Sequence, residues 1–330
     1  MKRTTMKDIA VRLGVSTSTV SRALNNSARI SVATRERIHK AIHGSDYVRN
    51  MVARGLAVRR SHLIGVVVSS ISNPFFAEIA RGVHDVARSK SYVVALCNTE
   101  RRVEDEESFS RALVGIQGAG MIFAGGLTGG KHLKWLVDQG VPLVLAGRLS
   151  KEFSVPTVAF DNVAVGYQGT QYLISRGYKH ILFLNGPSNS TTSHDRQRGY
   201  VDAMKGSGLV PVVENGDFRM ESGFHLANAL AKNRRRVTAV FAANDMMAIG
   251  LILGCTNLGM RIPEDLAVVG CDDIPLASLI KPTLTTVRVP MYEMGARAME
   301  LLVAELGQER ALGRQRILLG CELIERESAR

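Results

Sequence analysis

The sequence predicts a small all-α helix-turn-helix head joined to an α/β two-lobed body with parallel sheets. Three observations carry that prediction. Apolar residues recur at helical spacing on either side of a turn between Met6 and Asn25; nearly all the excess positive charge sits at the same end; and from Leu63 onward short apolar runs alternate with amphipathic stretches. At 330 residues the chain can hold two or three domains, each with its own core.

In the head, Ile9, Ala10 and Leu13 form one apolar stripe, Gly14 interrupts it, and Val20, Ala23 and Leu24 begin a second. Two short helices therefore meet at a tight turn. Ala10 is small enough to let the second helix approach, Gly14 supplies the positive φ, and Val20 fills the angle between them. Thr5 with Asp8 has the spacing of a capping box, and Ser16 caps the second helix. That helix presents Thr17, Ser18 and Arg22 where a recognition helix meets base edges, and Thr19 and Ser21 where hydroxyls reach phosphates. Thr5, Ser16, Asn25 and Arg29 complete the candidate nucleic-acid contacts on the head. Ser31 is the expected cap of a third helix, with Val32, Ile38, Ala41 and Ile42 on its closing face and Arg35, Arg37 and Lys40 outside.

Charge supports the same reading. Met1 to His62 holds 13 Lys or Arg against 3 Asp or Glu, a net +10 of the chain's +12. A basic head on a nearly neutral body is the footprint of a protein that touches phosphates with one end. The four cysteines, Cys97, Cys255, Cys271 and Cys321, stand far apart with no CxxC, so they read as small core residues, with no zinc site or disulfide framework. No stretch resembles a signal peptide or reaches about 18 apolar residues, so a reducing cytoplasm is the expected location.

In the body, LIGVVV, YVVALC, GMIFAG and PLVLAG read as strands of one unit, and HILFLN, TAVFAA and LAVVGC as strands of a second. Helices such as Ala77 to Arg88, Gly166 to Ser175 and Met246 to Leu258 lie between them. Two similar halves imply a cleft, and open α/β sheets bind ligands at the carboxyl ends of their strands. Those ends carry a consistent set: Asn73-Pro74-Phe75-Phe76, Asp161, Arg196 opening a helix, Phe218, Asn244-Asp245 and Asp272-Asp273. Carboxylate, amide and guanidinium groups beside aromatic faces suit a polyhydroxylated ligand. Asp272, Asn244 and Asn73 also have a simpler role open to them, as caps of the helices that follow, and the phenylalanines a role in the core. Asp245 and Asp273 are read as helix-start residues.

DIAVRLGVSTSTVSRALN, then SVATRERI, then Asn50 with Ala53-Arg54-Gly55-Leu56, is similar to the LacI/GalR family of bacterial transcription regulators, and the similarity runs to the C-terminus. The resemblance implies a periplasmic-binding-protein-like body crossed three times by the chain, near Asp161, Val289 and Leu319, with the helix Met291 to Leu306 returning to the first lobe and CELIER to the second. It divides the chain into a head over 1–48, a hinge helix and linker over 49–61, and a body over 62–330. Lobe 1 then takes about 62–160 and 290–319, and lobe 2 about 161–289 and 320–330.

By the same resemblance Leu56 is a wedge in the minor groove, Arg54 a minor-groove or phosphate contact, and Asn50 and Ala53 join the DNA-contacting set. Arg196, Asn244 and Asp272 become the polar effector contacts, Phe75 and Phe218 the aromatic walls. An Arg in the pocket also suits a carboxylate or phosphate, which leaves sugar, sugar acid and sugar phosphate all open as the effector, and Arg148, just past PLVLAG, is the candidate second cation. A seven-residue helix is too short to stand alone in water, so the hinge is expected to fold only when paired on DNA. Where the family has Leu-Gly-Tyr and a later Pro, this chain has Ser45, Asp46, Tyr47 and Arg49, which removes two backbone constraints from the hinge. The implied protein is a homodimer on a pseudo-palindromic operator, a repressor by family habit, with the helix Ala77 to Arg88 at the dimer contact and no heptad near Glu327 to Arg330 for a tetramerising tail.

One motif points elsewhere. Gly125 to Lys131 matches GxxxxGK after a strand, the place of a phosphate-binding loop, but His132 stands where magnesium needs Ser or Thr. A nucleotide-binding enzyme is the alternative. GxSxG, HExxH and GxGxxG are missing from the sequence, and the eight histidines show no ligand spacing, so no enzyme, cofactor or metal is expected. Lys232 with Arg234, Arg235 and Arg236 reads as a solvated loop.

Overall fold

The computed structural model describes residues 4–24, 29–47, 61–125, 130–147, 154–233, 237–307 and 315–330. Contacts within the chain separate it into two compact units, Met1–Ser61 and His62–Arg330. Among the described residues no helix is long and apolar enough to cross a membrane.

The first unit is three helices: α1 (Met6–Leu13), α2 (Thr17–Leu24) and α3 (Val32–His43). Thr5 and Asp8 form the capping box that opens α1, and Gly14 closes it at φ 66°. A Cβ at Gly14 would meet no atom within 4 Å, so the backbone angle, and not space, demands glycine there. Ile9, Ala10, Val20, Ala23 and Ile38 are buried together, with Leu13, Leu24, Ile42 and Tyr47 packed around them. Val32 departs from expectation: it is 67% exposed, because as the first residue of α3 it lies a turn away from the point where the three helices converge. Gly44 still closes α3, at φ −90°, which any residue adopts.

The second unit contains two six-stranded sheets. In chain order its elements are β1 (Leu63–Val68), α4 (Pro74–Ser89), β2 (Val93–Asn98), α5 (Val103–Gly115), β3 (Gly120–Ala124), α6 (Lys131–Asp138), β4 (Leu143–Ala146) and β5 (Thr157–Phe160). There follow α7 (Asn162–Ser175), β6 (Ile181–Asn185), α8 (Thr191–Gly206), β7 (Val212–Asn215), α9 (Met220–Asn233), β8 (Ala239–Ala242) and α10 (Asp245–Asn257). The last are β9 (Ala267–Asp272), a 3-10 turn at Pro275–Ser278, β10 (Thr285–Arg288), α11 (Met291–Gly307), β11 (Arg316–Leu319) and β12 (Glu322–Ile324).

Strand order is β11-β5-β4-β3-β1-β2 in the first sheet and β12-β10-β9-β8-β6-β7 in the second. Every described pairing is parallel except β10 with β12. Central strands such as β3, β4, β8 and β9 are buried along their whole length, which is why they read as unbroken apolar runs. The edges β2 and β7 are half-exposed. The chain passes between sheets after Phe160, after Arg288 and after Leu319.

Three helix pairs are drawn together by reciprocal glycines. A Cβ at Gly166 would stand 2.0 Å from the Arg196 carbonyl, and one at Gly199 would stand 2.0 Å from that of Val163, so α7 and α8 touch backbone to backbone. Gly82 with Gly295 does the same for α4 and α11, and Gly223 with Gly250 for α9 and α10. The first of these pairs fixes the helix that carries Arg196.

Candidate functional site

Between the two sheets of the second unit lies a cleft that encloses about 530 Å³ of space, part of it open to solvent. The first sheet contributes Phe75 and Phe76 from the start of α4, Phe160 from the end of β5, and Ser69 and Gly125 just past β1 and β3. Arg101, beyond β2, completes that side. The second contributes Arg196 and Thr192 from α8, Phe218 past β7, Asn244 past β8 and Asp272 at the end of β9. Carboxyl ends of both sheets thus face one another, the geometry that binds ligands in open α/β folds.

Arg196 and Asp272 are buried in this wall, with Nη2 of Arg196 3.5 Å from Oδ1 of Asp272. Arg196 Nε donates to Asn162 Oδ1 at 3.0 Å, and Nη1 donates to the Ala243 carbonyl. These bonds lock the guanidinium plane beside Phe160, whose ring centre lies 5.9 Å away. Asp272 stands at φ 122° and Asp273 at φ 60°, left-handed conformations that the surrounding bonds must hold. Asp245, expected only to start a helix, also braces the segment just after them. Its fully buried carboxylate accepts from the Ile274 amide at 2.9 Å and from the Thr286 hydroxyl at 2.6 Å, tying the turn after β9 to β10. Burial pushes both Asp245 and Asp272 above the usual carboxylate range, and the charge of Asp272 raises Asp245 further, while Arg196 opposes the rise at Asp272. Asp273, also expected to start a helix, instead binds Arg288 and Arg326, each at 2.7 Å.

Of the six expected cleft residues, Phe75, Arg196, Phe218, Asn244 and Asp272 line it. Asp161 does not. It is exposed at the crossing and its Oδ1 accepts from the amides of Val163 and Ala164, a cap for α7. Asn244 does both jobs: Oδ1 caps α10 through Met247, and Nδ2 donates to the Phe218 carbonyl, fixing that ring's loop. Arg196 does not open its helix, which begins at Thr191 under a Ser190 cap, so the guanidinium projects from the second turn. Arg148 lies outside the described residues.

Arg101, Phe160, Ser69, Ser190, Thr192 and Gly147 escaped the sequence reading. Arg101 obeys the same strand-end logic, three residues after β2, whereas Phe160 ends a four-residue strand too short to stand out. Cys97 and Cys321 are half-buried, unlike the fully buried Cys255 and Cys271. His132, where a nucleotide loop needs a hydroxyl, is buried with Nε2 2.9 Å from Glu106 Oε2 and beside Phe123, so the position belongs to the packing of α5 against α6. Residues 126–129 of that glycine-rich loop lie outside the described residues, as do Arg234 to Arg236.

On the first unit, Thr17, Ser18 and Arg22 are exposed along α2 and Ser21 is half-buried. Ser16 Oγ accepts from the Thr19 amide at 3.1 Å and contacts the hydroxyls of Ser18 and Thr19 at 2.8 Å, so Thr19 is first a member of the cap. Thr5 is likewise engaged by Asp8. Asn25, Asn50, Ala53, Arg54 and Leu56 lie outside the described residues, as do all of residues 48–60.

A basic helix-turn-helix unit with an exposed second helix, followed by a two-sheet body, defines a DNA-binding transcription regulator. Residues 5–50 match the model for bacterial regulatory proteins of the lacI family, and residues 170–329 match that for the periplasmic binding protein-like domain. The chain is 34% identical to catabolite control protein A of Priestia megaterium, over 92% of this chain and 93% of the relative. It is 33% identical to the ribose operon repressor of Halalkalibacterium halodurans, over 99% and 97%. Among solved structures, the lac repressor dimer bound to operator and the anti-inducer ONPF superposes with a TM-score of 0.89 at 27% identity, covering 99% of each chain. The transcriptional regulator CelR in complex with cellobiose superposes with a TM-score of 0.74 at 31% identity, covering 99% of this chain and all of that one. This chain belongs to the lacI family of bacterial regulatory proteins: it is a DNA-binding transcription repressor, not an enzyme.

Proposed function

We propose that this repressor binds a pseudo-palindromic operator as a homodimer and that a small carbohydrate-type molecule, a sugar, sugar acid or sugar phosphate, occupies the cleft and alters its grip on DNA. The observation that carries the effector reading is the buried Arg196–Asp272 pair beside Phe160 at facing strand ends. A fork of donors next to a carboxylate satisfies vicinal hydroxyls, and flat rings cover the apolar face of a sugar. The names of the ribose operon repressor and of the cellobiose complex support that class of ligand.

In this reading residues 1–48 form the head, 49–61 the hinge and 62–330 the effector body. Thr17, Ser18 and Arg22 read base edges, Ser21 and Arg29 reach phosphates, and the hinge carries Asn50, Ala53, Arg54 and Leu56 to the operator centre. One small head buries too little surface to hold an operator well, so two heads on a twofold axis bind adjacent half-sites. The lac repressor dimer on its operator, which this chain matches over its whole length, supports that arrangement. Ligand in the cleft favours one relation between the lobes, and thereby the chance that both heads dock together.

The test is selection of an operator from a random duplex library with the purified protein, followed by a thermal-shift screen of sugars, their acids and their phosphates. A ligand at about 100 times its dissociation constant stabilises a fold by about 2.7 kcal/mol. A hit that changes operator affinity supports the reading. Operator binding that no member of the three classes stabilises or alters would leave the regulator standing and remove the carbohydrate.

A further inference from the structure

Among the described residues that line the cleft, one guanidinium lacks an ion-paired carboxylate. Arg196 faces Asp272 at 3.5 Å, so those two offset each other. Arg101, on the opposite lobe, has no carboxylate ion-paired to it among the described residues. Asp217 and Glu100 act on it through space, with Arg219 opposing them, and the side chains of both carboxylates are bonded to other groups. Glu100 holds Arg219 at 2.9 Å, Asn98 at 2.9 Å and Ser70 at 3.1 Å. Asp217 accepts from the Ser222 hydroxyl at 2.6 Å and the Arg219 amide at 2.9 Å.

What Arg101 does have is a mount. Its Nη1 donates to the Asp217 carbonyl at 2.9 Å across the cleft, and its guanidinium lies 5.1 Å over the Phe218 ring. Glu100 and Arg101 stand at φ 44° and 60°, a left-handed pair that is costly for residues with side chains and aims this cation at the site. Desolvation holds its pKa below that of an ordinary guanidinium. A half-buried cation with donors to spare is a place for an anion, and guanidinium geometry matches carboxylate and phosphate oxygens.

We propose that the effector of this repressor carries an anionic group, a carboxylate or a phosphate, gripped by Arg101, while its hydroxyls meet Arg196, Asn244 and Asp272. This rests on the reading that a carbohydrate-type molecule fills the cleft. It narrows that reading to the acid and phosphate members of the class.

The experiment uses the full chain and matched probes: ribose, ribonate and ribose 5-phosphate; glucose, gluconate and glucose 6-phosphate. Thermal shift and calorimetric titration measure each. The acid or the phosphate of at least one set is expected to bind about tenfold or more tightly than its neutral sugar, the favoured member telling carboxylate from phosphate. Arg101→Gln should remove that preference, and Arg101→Lys, which keeps the charge but loses the fork, should restore part of it. The double variant Glu100→Gln, Arg219→Gln removes an ion pair between the lobes without freeing a carboxylate beside Arg101, so it should preserve the preference. Loss of the preference in that double variant would mean that Arg101 acts only as a clasp, and would overturn the assignment. A neutral sugar binding as tightly as its anionic forms, with that binding lost in Arg196→Lys, would overturn the anion and leave the carbohydrate reading standing. No response from any of the six probes would count against both.

Discussion

The two lobes face the same cleft with different chemistry. Lobe 1 offers Phe75, Phe76 and Phe160, neutral rings rooted in the core, and lobe 2 offers Arg196, Asp272 and Asn244, polar groups buried with their partners. Rings tolerate a ligand's rotation; the fixed guanidinium and carboxylate do not. Shape is therefore set from one side and chemical identity from the other. Ser69 and Asn73 add polar atoms to the first side and Phe218 a ring to the second, and Arg101 is a cation on the ring-rich side whose mount belongs to lobe 2.

The largest expected effect lies in lobe 2. Asp272→Ala leaves the buried Arg196 uncompensated and should cost about 3–5 kcal/mol of body stability, read by urea unfolding, while Asp272→Asn should cost less. A loss under about 1 kcal/mol would mean that water already screens the pair. Next is the contact between α7 and α8. Gly199→Ala places a Cβ 2.0 Å from the Val163 carbonyl, so the helices must part; the expected cost is about 1–3 kcal/mol or more. Ligand affinity should fall with it, since α8 carries Arg196. Lobe 1 should respond more mildly. Phe75→Leu should cost about 1.5 kcal/mol or less and weaken neutral and anionic ligands alike, as titration of both would show. Unequal weakening would break the division of labour between the lobes.

A smaller effect is one of pH. Asp245 and Asp272 have folded-state pKa values above their unfolded ones, so between those values the folded body binds more protons than the unfolded chain. Stability is then present at the unfolded carboxylate pKa and declines as pH rises through the folded values. Unfolding midpoints measured upward from about pH 4 should show that decline, and Asp245→Asn should flatten it.

Much of this was legible in the residues. The strands of both sheets announced themselves as apolar runs because parallel strands are buried on both faces, and the turn at Gly14 because its backbone angle restricts the choice of residue. Five of six expected cleft residues line the cleft for one reason: ligands meet such sheets at strand ends. Asp161 misled because an aspartate just past a strand is equally an N-cap, and sequence does not say where the chain leaves one sheet for the other. Asp245 misled in the opposite direction. It does begin a helix, but its carboxylate serves residues 29 and 41 positions away, and such distances carry no periodic signal. Val32 fell on the predicted stripe yet at its end, where convergence of three helices, rather than periodicity, decides burial.

The most direct test of ligand control is the linkage between cleft and head, measured as operator affinity by fluorescence anisotropy with and without saturating effector, and as effector affinity by calorimetry with and without saturating operator. The account predicts that both affinities change by the same factor, as thermodynamic coupling requires. A ligand that binds the cleft, loses affinity in Arg196→Lys, and yet leaves operator affinity unchanged would contradict it.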